Sequence, residues 1–322
     1  MPIPDAHMRT RPDPVAGFLA LWTLPCAGQE DHRAPIMTRM RKMGTCSLCL
    51  EKRSLSFEHV PPRRVFNNRP AVAHTLYGLH LGSKHSKSPP LLRGAAGLGR
   101  NALCEQCNGR TAALYGDAFA EWTLQCLDYA RRLHDTSTVL LPFTIKPLNV
   151  LKQIATMMIA VADTKTSSPS LNAIRHFVLS PQAMHLPYDV VVKAYFNPND
   201  PARNGKPALT QNRLSESCAV LDIRSGTSVF VLAEVAFPPM GYVAYFAKRH
   251  DRVSDDFTSL CDLRQFSCHP VNRAATIFFQ MPVRYPFGPV PGYYPNLNDP
   301  KLRQFVDDNH VLVTGKDAAP RT

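Results

Sequence analysis

Residues 54–64 read SLSFEHVPPRR: a glutamate and a histidine side by side, then two prolines, then two arginines. Cysteines bracket this run. TCSLCL, residues 45–50, precedes it and LCEQCN, residues 103–108, follows it, each carrying one C-x-x-C pair. Two residues between cysteines let a single turn present both sulfurs to a tetrahedral ion. Cys46, Cys49, Cys104 and Cys107 therefore suit the four positions of a structural zinc. The run between the pairs, Leu50 to Leu103, is 54 residues long, against about 15–20 in the usual two-pair zinc spacing. That length argues against a simple zinc ribbon and leaves room for a further element. Two unrelated thiol pairs or a redox dithiol are the plainer alternatives. Nine cysteines is an odd number, and in a reducing compartment the two C-x-x-C pairs read as metal ligands more readily than as disulfides.

The charge gathers at the same place. The whole chain carries +12 from 37 Lys plus Arg against 25 Asp plus Glu. From Lys52 to Arg110 there are ten basic residues and only two acids, Glu58 and Glu105, so this segment alone carries +8. Such a balance favours an anionic partner, nucleic acid before an acidic membrane surface. His59, His74, His80 and His85 lie in the segment too; His59 stands beside an acid, while the other three read as loop residues. No apolar run reaches the roughly 18 residues of a membrane span. Val15–Gly28 is apolar enough to suggest a signal peptide, but Asp5, Asp13 and several prolines precede it and no clear cleavage pattern follows. The expectation is a cytoplasmic protein whose residues 1–43 form a poorly ordered extension.

Taken together, C-S-L-C, E-H-V-P-P-R and L-C-E-Q-C-N-G-R resemble the HNH endonuclease superfamily, in its form with two zinc knuckles around an acid–histidine pair. The resemblance covers about residues 46 to 120. It implies a ββα-metal core, with a hairpin carrying the histidine and a helix carrying the last metal ligand. It implies catalysis by His59 as the base that takes a proton from water, and Glu58 and Asn108 as oxygen ligands of a catalytic Mg²⁺ or Mn²⁺. Arg63, Arg64 and Arg110 become candidate phosphate contacts. The sequence departs from the family twice. Its acid is Glu rather than the commoner Asp. The middle asparagine, which orients the histidine through its backbone, would be Asn101, only three residues before Cys104; Asn67 and Asn68 compete for that role. Neighbouring residues on a regular strand face opposite sides, so Glu58 and His59 can share a site only at a strand end. Pro61 and Pro62 would end the strand there.

The rest of the chain has less to say about chemistry. TAALYGDAFAEWTLQCLDYARRL (111–133), PLNVLKQIATMMIAVA (147–162) and SPSLNAIRHFVL (168–179) read as helices, the second apolar enough to be buried and the third capped by Ser168 or Ser170. From Tyr188 the period becomes strand-like, with Ser225-Gly226 as a hairpin signal. Cys126, Cys218, Cys261 and Cys268 have no pair spacing and read as structural. The Pro-rich run 281–296 reads as a packed loop, with aromatic stacking on bases as the alternative. The expected fold class is α+β: a zinc-bound nuclease domain at 44–135, then helices and a mostly antiparallel sheet at 136–299, and a fraying tail at 300–322. The expected activity is metal-dependent hydrolysis of nucleic acid, DNA before RNA. A setting in phage defence or a mobile element, and a homodimer or partner protein, come from the resemblance alone. Two other readings stay open: a zinc-knuckle module that binds without cutting, and a gated nuclease subunit of a larger complex.

Overall fold

The computed structural model describes residues 42–68, 71–74, 91–94, 96–132, 138–162, 168–197, 213–215, 218–222, 227–246, 261–282 and 311–314. A C-x-x-C turn needs chain entering and leaving it, and two antiparallel strands supply this. Strand β1 (Lys42–Thr45) runs against β2 (Lys52–His59), with Lys42 opposite Leu55 and Thr45 opposite Lys52; Cys46 and Cys49 sit in the connection. The long run between the cysteine pairs contributes β3 (Ala71–His74), β4 (Leu91–Gly94) and β5 (Gly99–Cys104). Strand β5 pairs with the other edge of β2, closing a three-stranded sheet of order β1-β2-β5. At its end the chain turns straight into helix α1 (Glu105–Thr111).

Helix α1 continues through a π-helical turn, Ala112–Gly116, into α2 (Asp117–Arg132). The predicted helix at 111–133 is thus the later part of a longer helical rod. Helix α3 (Pro147–Val161) is buried along its whole length, as its apolar face and largely apolar neighbouring positions predict. Helix α4 (Pro169–Leu179) is capped by Ser168, whose hydroxyl accepts the Leu171 N–H at 3.1 Å. Between α2 and α3 lies a strand that the sequence reading omits, β6 (Thr138–Ile145). Pro142 hid it, because proline cannot donate to a ladder. This ribbon has only two strands, so each keeps one open edge where the missing N–H is tolerated.

The later strands build the expected sheet, and all but two of its pairings are antiparallel. They are β7 (Val190–Phe196), β8 (Arg213–Ser215), β9 (Cys218–Asp222), β10 (Thr227–Phe237), β11 (Met240–Phe246) and β12 (Cys261–Asp262). β13 (Ala275–Pro282) leaves this sheet to pair with β6. Two additions were not foreseen. The β3–β4 pair, from between the cysteines, joins the large sheet through a parallel contact of β3 with β8. Within the predicted fraying tail, β14 (Val311–Thr314) pairs in parallel with β9. The Ser225-Gly226 hairpin signal lies outside the described residues, though β9 and β10 on either side of it do pair antiparallel.

One apolar core runs from Cys46 and Leu48 of the first knuckle through α3 to Phe279 of β13, so packing is continuous across the boundary drawn at 135/136. Trp122 sits at its centre, fully buried, its indole N–H donating to the Tyr242 hydroxyl at 2.8 Å and its ring against Phe143, Phe266 and Phe279. The N-terminal segment drawn at 1–43 lies outside the described residues up to 41, and Lys42 and Met43 belong to β1. Among the described residues, no helix is long and apolar enough to cross a membrane.

Candidate functional site

The sulfurs of Cys46, Cys49, Cys104 and Cys107 all lie within 4.8 Å of one another. A tetrahedral zinc with bonds of about 2.3 Å would hold its sulfurs roughly 3.8 Å apart, so the four are gathered at the spacing such an ion requires. Their electrostatics also call for a cation. Burial alone would raise the Cys46 thiol, but the backbone N–H groups of Cys104, Cys49 and Leu48 outweigh it and hold that thiol below its ordinary value. Burial pushes the Cys49 and Cys107 thiols up, and the negative charge of Cys46 adds to the effect. Four thiolates in so small a space need a metal to coexist. Two arginines approach the knuckles, although Arg53 is ion-paired with Glu51. Arg175 of α4, only 3% exposed, donates from Nε to the Ser47 carbonyl at 2.8 Å. Arg53 reaches the second knuckle from outside, donating to Gln106 Oε1 at 2.6 Å.

The second cysteine pair brackets the start of α1, with Asn108 directly after Cys107. Asn108 Nδ2 donates to Ser56 Oγ at 3.0 Å, and Ser56 in turn donates to the Leu103 carbonyl at 3.1 Å. With the amide nitrogen held to the sheet, Oδ1 is the atom that Asn108 has left to offer. Beside it opens a cleft of about 320 Å³ whose lining includes Glu58, His59, Arg63, Arg64, Asn108 and Gln153. The acid and the histidine enter together because they are the last two residues of β2, before Pro61 and Pro62. The ladder is also irregular here: Asn101 and Ala102 of β5 both stand opposite Phe57, a bulge that increases local twist.

Glu58 is only 6% exposed, and among the described residues no hydrogen bond or ion pair reaches its carboxylate. Burial pushes its pKa up to about 7. An unpaired buried carboxylate is costly unless a cation comes to it. His59 is held differently. Its Nε2 lies 3.1 Å from the Ala96 carbonyl, which can only accept, so Nε2 carries the proton and Nδ1 of the neutral ring keeps its lone pair. The Phe57 ring braces it edge-on at 5.0 Å.

Asn67 fixes the segment that carries this carbonyl. Its Oδ1 accepts the Leu98 N–H at 2.6 Å, while Nδ2 donates to the carbonyls of Leu98 at 2.7 Å and Pro61 at 2.6 Å. The side chain thus pairs with Leu98 as a strand would. The approach requires glycine on both sides of Leu98. Gly97 has φ +105°, and a Cβ there would lie 2.2 Å from the Asn67 carbonyl oxygen; at Gly99 it would lie 2.0 Å from that of Glu58.

The remaining predicted residues are placed less favourably. Asn101 is exposed on β5; the carbonyl against the histidine belongs to Ala96, in the loop that Asn67 holds. Asn67 was one of the two competitors; Asn68 is exposed. Arg63 is exposed at the cleft. Arg64 also lines it but is ion-paired with Asp117. Arg110 lies outside the cleft lining, donating instead to the Leu179 carbonyl at 3.0 Å, at the C-terminus of α4. His80, His85 and the basic run Lys84–Lys87 lie outside the described residues, and His74 is on β3. Cys126 and Cys261 are buried and Cys268 is exposed. Sequence reasoning missed Asp117, Gln153 and the π turn whose Ala112, Ala113 and Gly116 line the cleft. The one available signal was the polar group Asn149, Lys152 and Gln153 inside an otherwise apolar helix. Set against family models, curated proteins and solved structures, the chain finds no match in any of the three.

Proposed function

We propose that this protein is a zinc-stapled, metal-dependent nuclease of the HNH kind, hydrolysing phosphodiester bonds in nucleic acid, with DNA as the substrate. The observation that carries the reading is the buried carboxylate of Glu58, without a partner among the described residues, in one cleft with His59, whose Nδ1 is left as an acceptor, and Asn108, whose Nδ2 is held by Ser56. Nucleic-acid binding alone has no need of a buried acid, which would repel phosphate.

In this reading the four cysteines hold zinc and act on position only, fixing Asn108 relative to β2. Glu58 and Asn108 hold the catalytic divalent cation through hard oxygen atoms. When bound, Mg²⁺ or Mn²⁺ supplies charge to the scissile phosphate and to the leaving oxygen. His59 takes the proton of the attacking water at Nδ1, and the Ala96 carbonyl keeps the ring oriented while it becomes positively charged. Arg63 meets the phosphate backbone at the rim. Arg64 does so if substrate draws it from Asp117. The +8 of residues 52–110 supplies the wider attraction for a polyanion.

The test incubates wild type and His59→Ala with supercoiled plasmid, single-stranded DNA and RNA, each with Mg²⁺, Mn²⁺ or a chelator. Cleavage of DNA by the wild type alone, lost with the chelator, is the expected result. Equal cleavage by a clean preparation of His59→Ala, with zinc content unchanged, would remove the assignment.

A further inference from the structure

Two parts of the chain wall the cleft. The end of β2 and the turn after it bring Glu58, His59, Arg63 and Arg64; the helical rod brings Asn108 from α1 and Asp117, the first residue of α2. An ion pair joins these walls, Arg64 Nη1 to Asp117 Oδ1, between residues 53 apart in the chain. Both side chains are 70% exposed, whereas Glu58 is buried. The pair therefore spans the mouth of the cleft, and the acid lies deeper.

Both ends of the bridge are set by the fold. Val65, next to Arg64, is buried, and its N–H donates to the Pro62 carbonyl at 3.0 Å. Asp117 follows the π turn with no break in the rod. Among the residues that line the cleft, Asp117 is the one exposed acid. It cancels Arg64 and leaves Arg63 as the lining arginine with no ion pair among the described residues. An acid placed there works against any anion that approaches His59.

An exposed pair of this kind is weak and screened by salt, so it opens at little cost. Phosphate can then take the place of the carboxylate, because a guanidinium binds either through the same two-pronged geometry. A lone phosphate offers Arg64 no more than Asp117 already does. A strand offers more, since its other phosphates meet Arg63 and the wider basic segment at the same time.

We propose that Asp117 is an electrostatic gate on the cleft, an internal competitor that holds Arg64 across the mouth until the phosphates of a nucleic-acid strand displace it. The inference rests on the nuclease reading for the nature of the ligand, and adds to it a repulsive element that sharpens the choice of ligand.

The test measures binding without cleavage. Zinc-loaded wild type, Asp117→Asn, Arg64→Ala and the double variant are titrated against a fluorescent DNA duplex, with no added Mg²⁺ or Mn²⁺, and anisotropy is read over a range of salt concentrations. Asn keeps the shape of Asp at an exposed site, so the melting temperature should stay at the wild-type value. The expected result is binding about two- to fivefold tighter in Asp117→Asn, with log K falling more steeply against log salt by up to about one. In the Arg64→Ala background the same substitution should gain clearly less, because no ion pair is left to open. That comparison separates the gate from plain charge, since removing an acid near a polyanion helps equally with and without Arg64 when the two side chains act independently. Equal gains in the two backgrounds, or unchanged or weaker binding by Asp117→Asn, would overturn the gate and leave the nuclease reading standing. Absence of DNA binding by wild type and by every variant at low salt would overturn the nuclease reading and the gate with it.

Discussion

Replacing Asn67 with alanine tests how the loop behind His59 is held. The carboxamide serves three backbone groups, all buried: the Leu98 N–H, the Leu98 carbonyl and the Pro61 carbonyl. The Leu98 carbonyl keeps a second donor, the Val60 N–H at 3.0 Å. Among the described residues, the other two have no second partner. An orphaned buried backbone group costs about 1–3 kcal/mol, and a water entering the vacated space recovers part of it, so Asn67→Ala should lose about 3 kcal/mol. Asn67→Asp sharpens the test. It keeps an oxygen for the Leu98 N–H but sets the other carboxylate oxygen against two carbonyls, so it should be no more stable than alanine at pH 8. Urea unfolding followed by tryptophan fluorescence measures both. A loss below about 1 kcal/mol in Asn67→Ala, or an Asp variant as stable as wild type at pH 8, would refute the clamp. If the clamp orients His59 through Ala96, cleavage by the still-folded alanine variant should also slow in its maximal rate, with little change in the Mg²⁺ concentration it requires.

Two further outcomes are expected. The Glu58 carboxyl titrates near 7 when folded without a divalent ion, against an ordinary value of 4.5; folding therefore takes up a proton between those values, and stability is greatest below about 4.5 and falls as pH rises through 7. A gap of that size corresponds to about 3 kcal/mol, so Glu58→Gln should flatten the melting temperature between pH 5 and pH 8 in zinc-loaded protein without added Mg²⁺ or Mn²⁺, and an unchanged pH profile would count against the buried-acid account. Arg175→Met removes the buried guanidinium from the first knuckle while filling much of its space, and zinc affinity measured against a chromophoric chelator should fall about tenfold; unaltered affinity would mean that the Ser47 contact is packing alone.

The four-cysteine cluster, which could hold a metal, was legible because tetrahedral coordination imposes a local spacing that a sequence can display. The cleft was legible in part. Glu58 and His59 at a strand end follow from two prolines, and Asn108 follows from its place after Cys107. The carbonyl behind the histidine was not legible, because carbonyls have no letter in a sequence; only the glycines flanking Leu98 and the buried Asn67 mark the place. The three arginines looked alike in the sequence and differ in the fold, since Asp117 and the end of α4 claim two of them. Strand β6 was hidden by a proline that a two-stranded ribbon tolerates. The parallel contacts of β3 with β8 and of β14 with β9 join segments far apart in the chain, with no local pattern to announce them.

Gln153 was the least legible because its meaning depends on the boundary at 135/136, where the sequence suggested two separable parts. The packing ties those parts together close to the site. Asn149 holds the π turn, the Tyr115 hydroxyl donates to the Val178 carbonyl at 2.8 Å, and Arg175 holds the first knuckle. These ties have an energetic reason. A buried carboxylate without a partner among the described residues costs several kcal/mol, against a total stability of about 5–15 kcal/mol for a typical domain. A knuckle domain of fewer than a hundred residues has little core with which to absorb that cost. Helix α3, buried on all sides, supplies the additional apolar burial and brings Gln153 to the cleft lining. The later half of the chain therefore bears on the cleft directly, by supplying the burial that lets it hold an acid without a partner among the described residues.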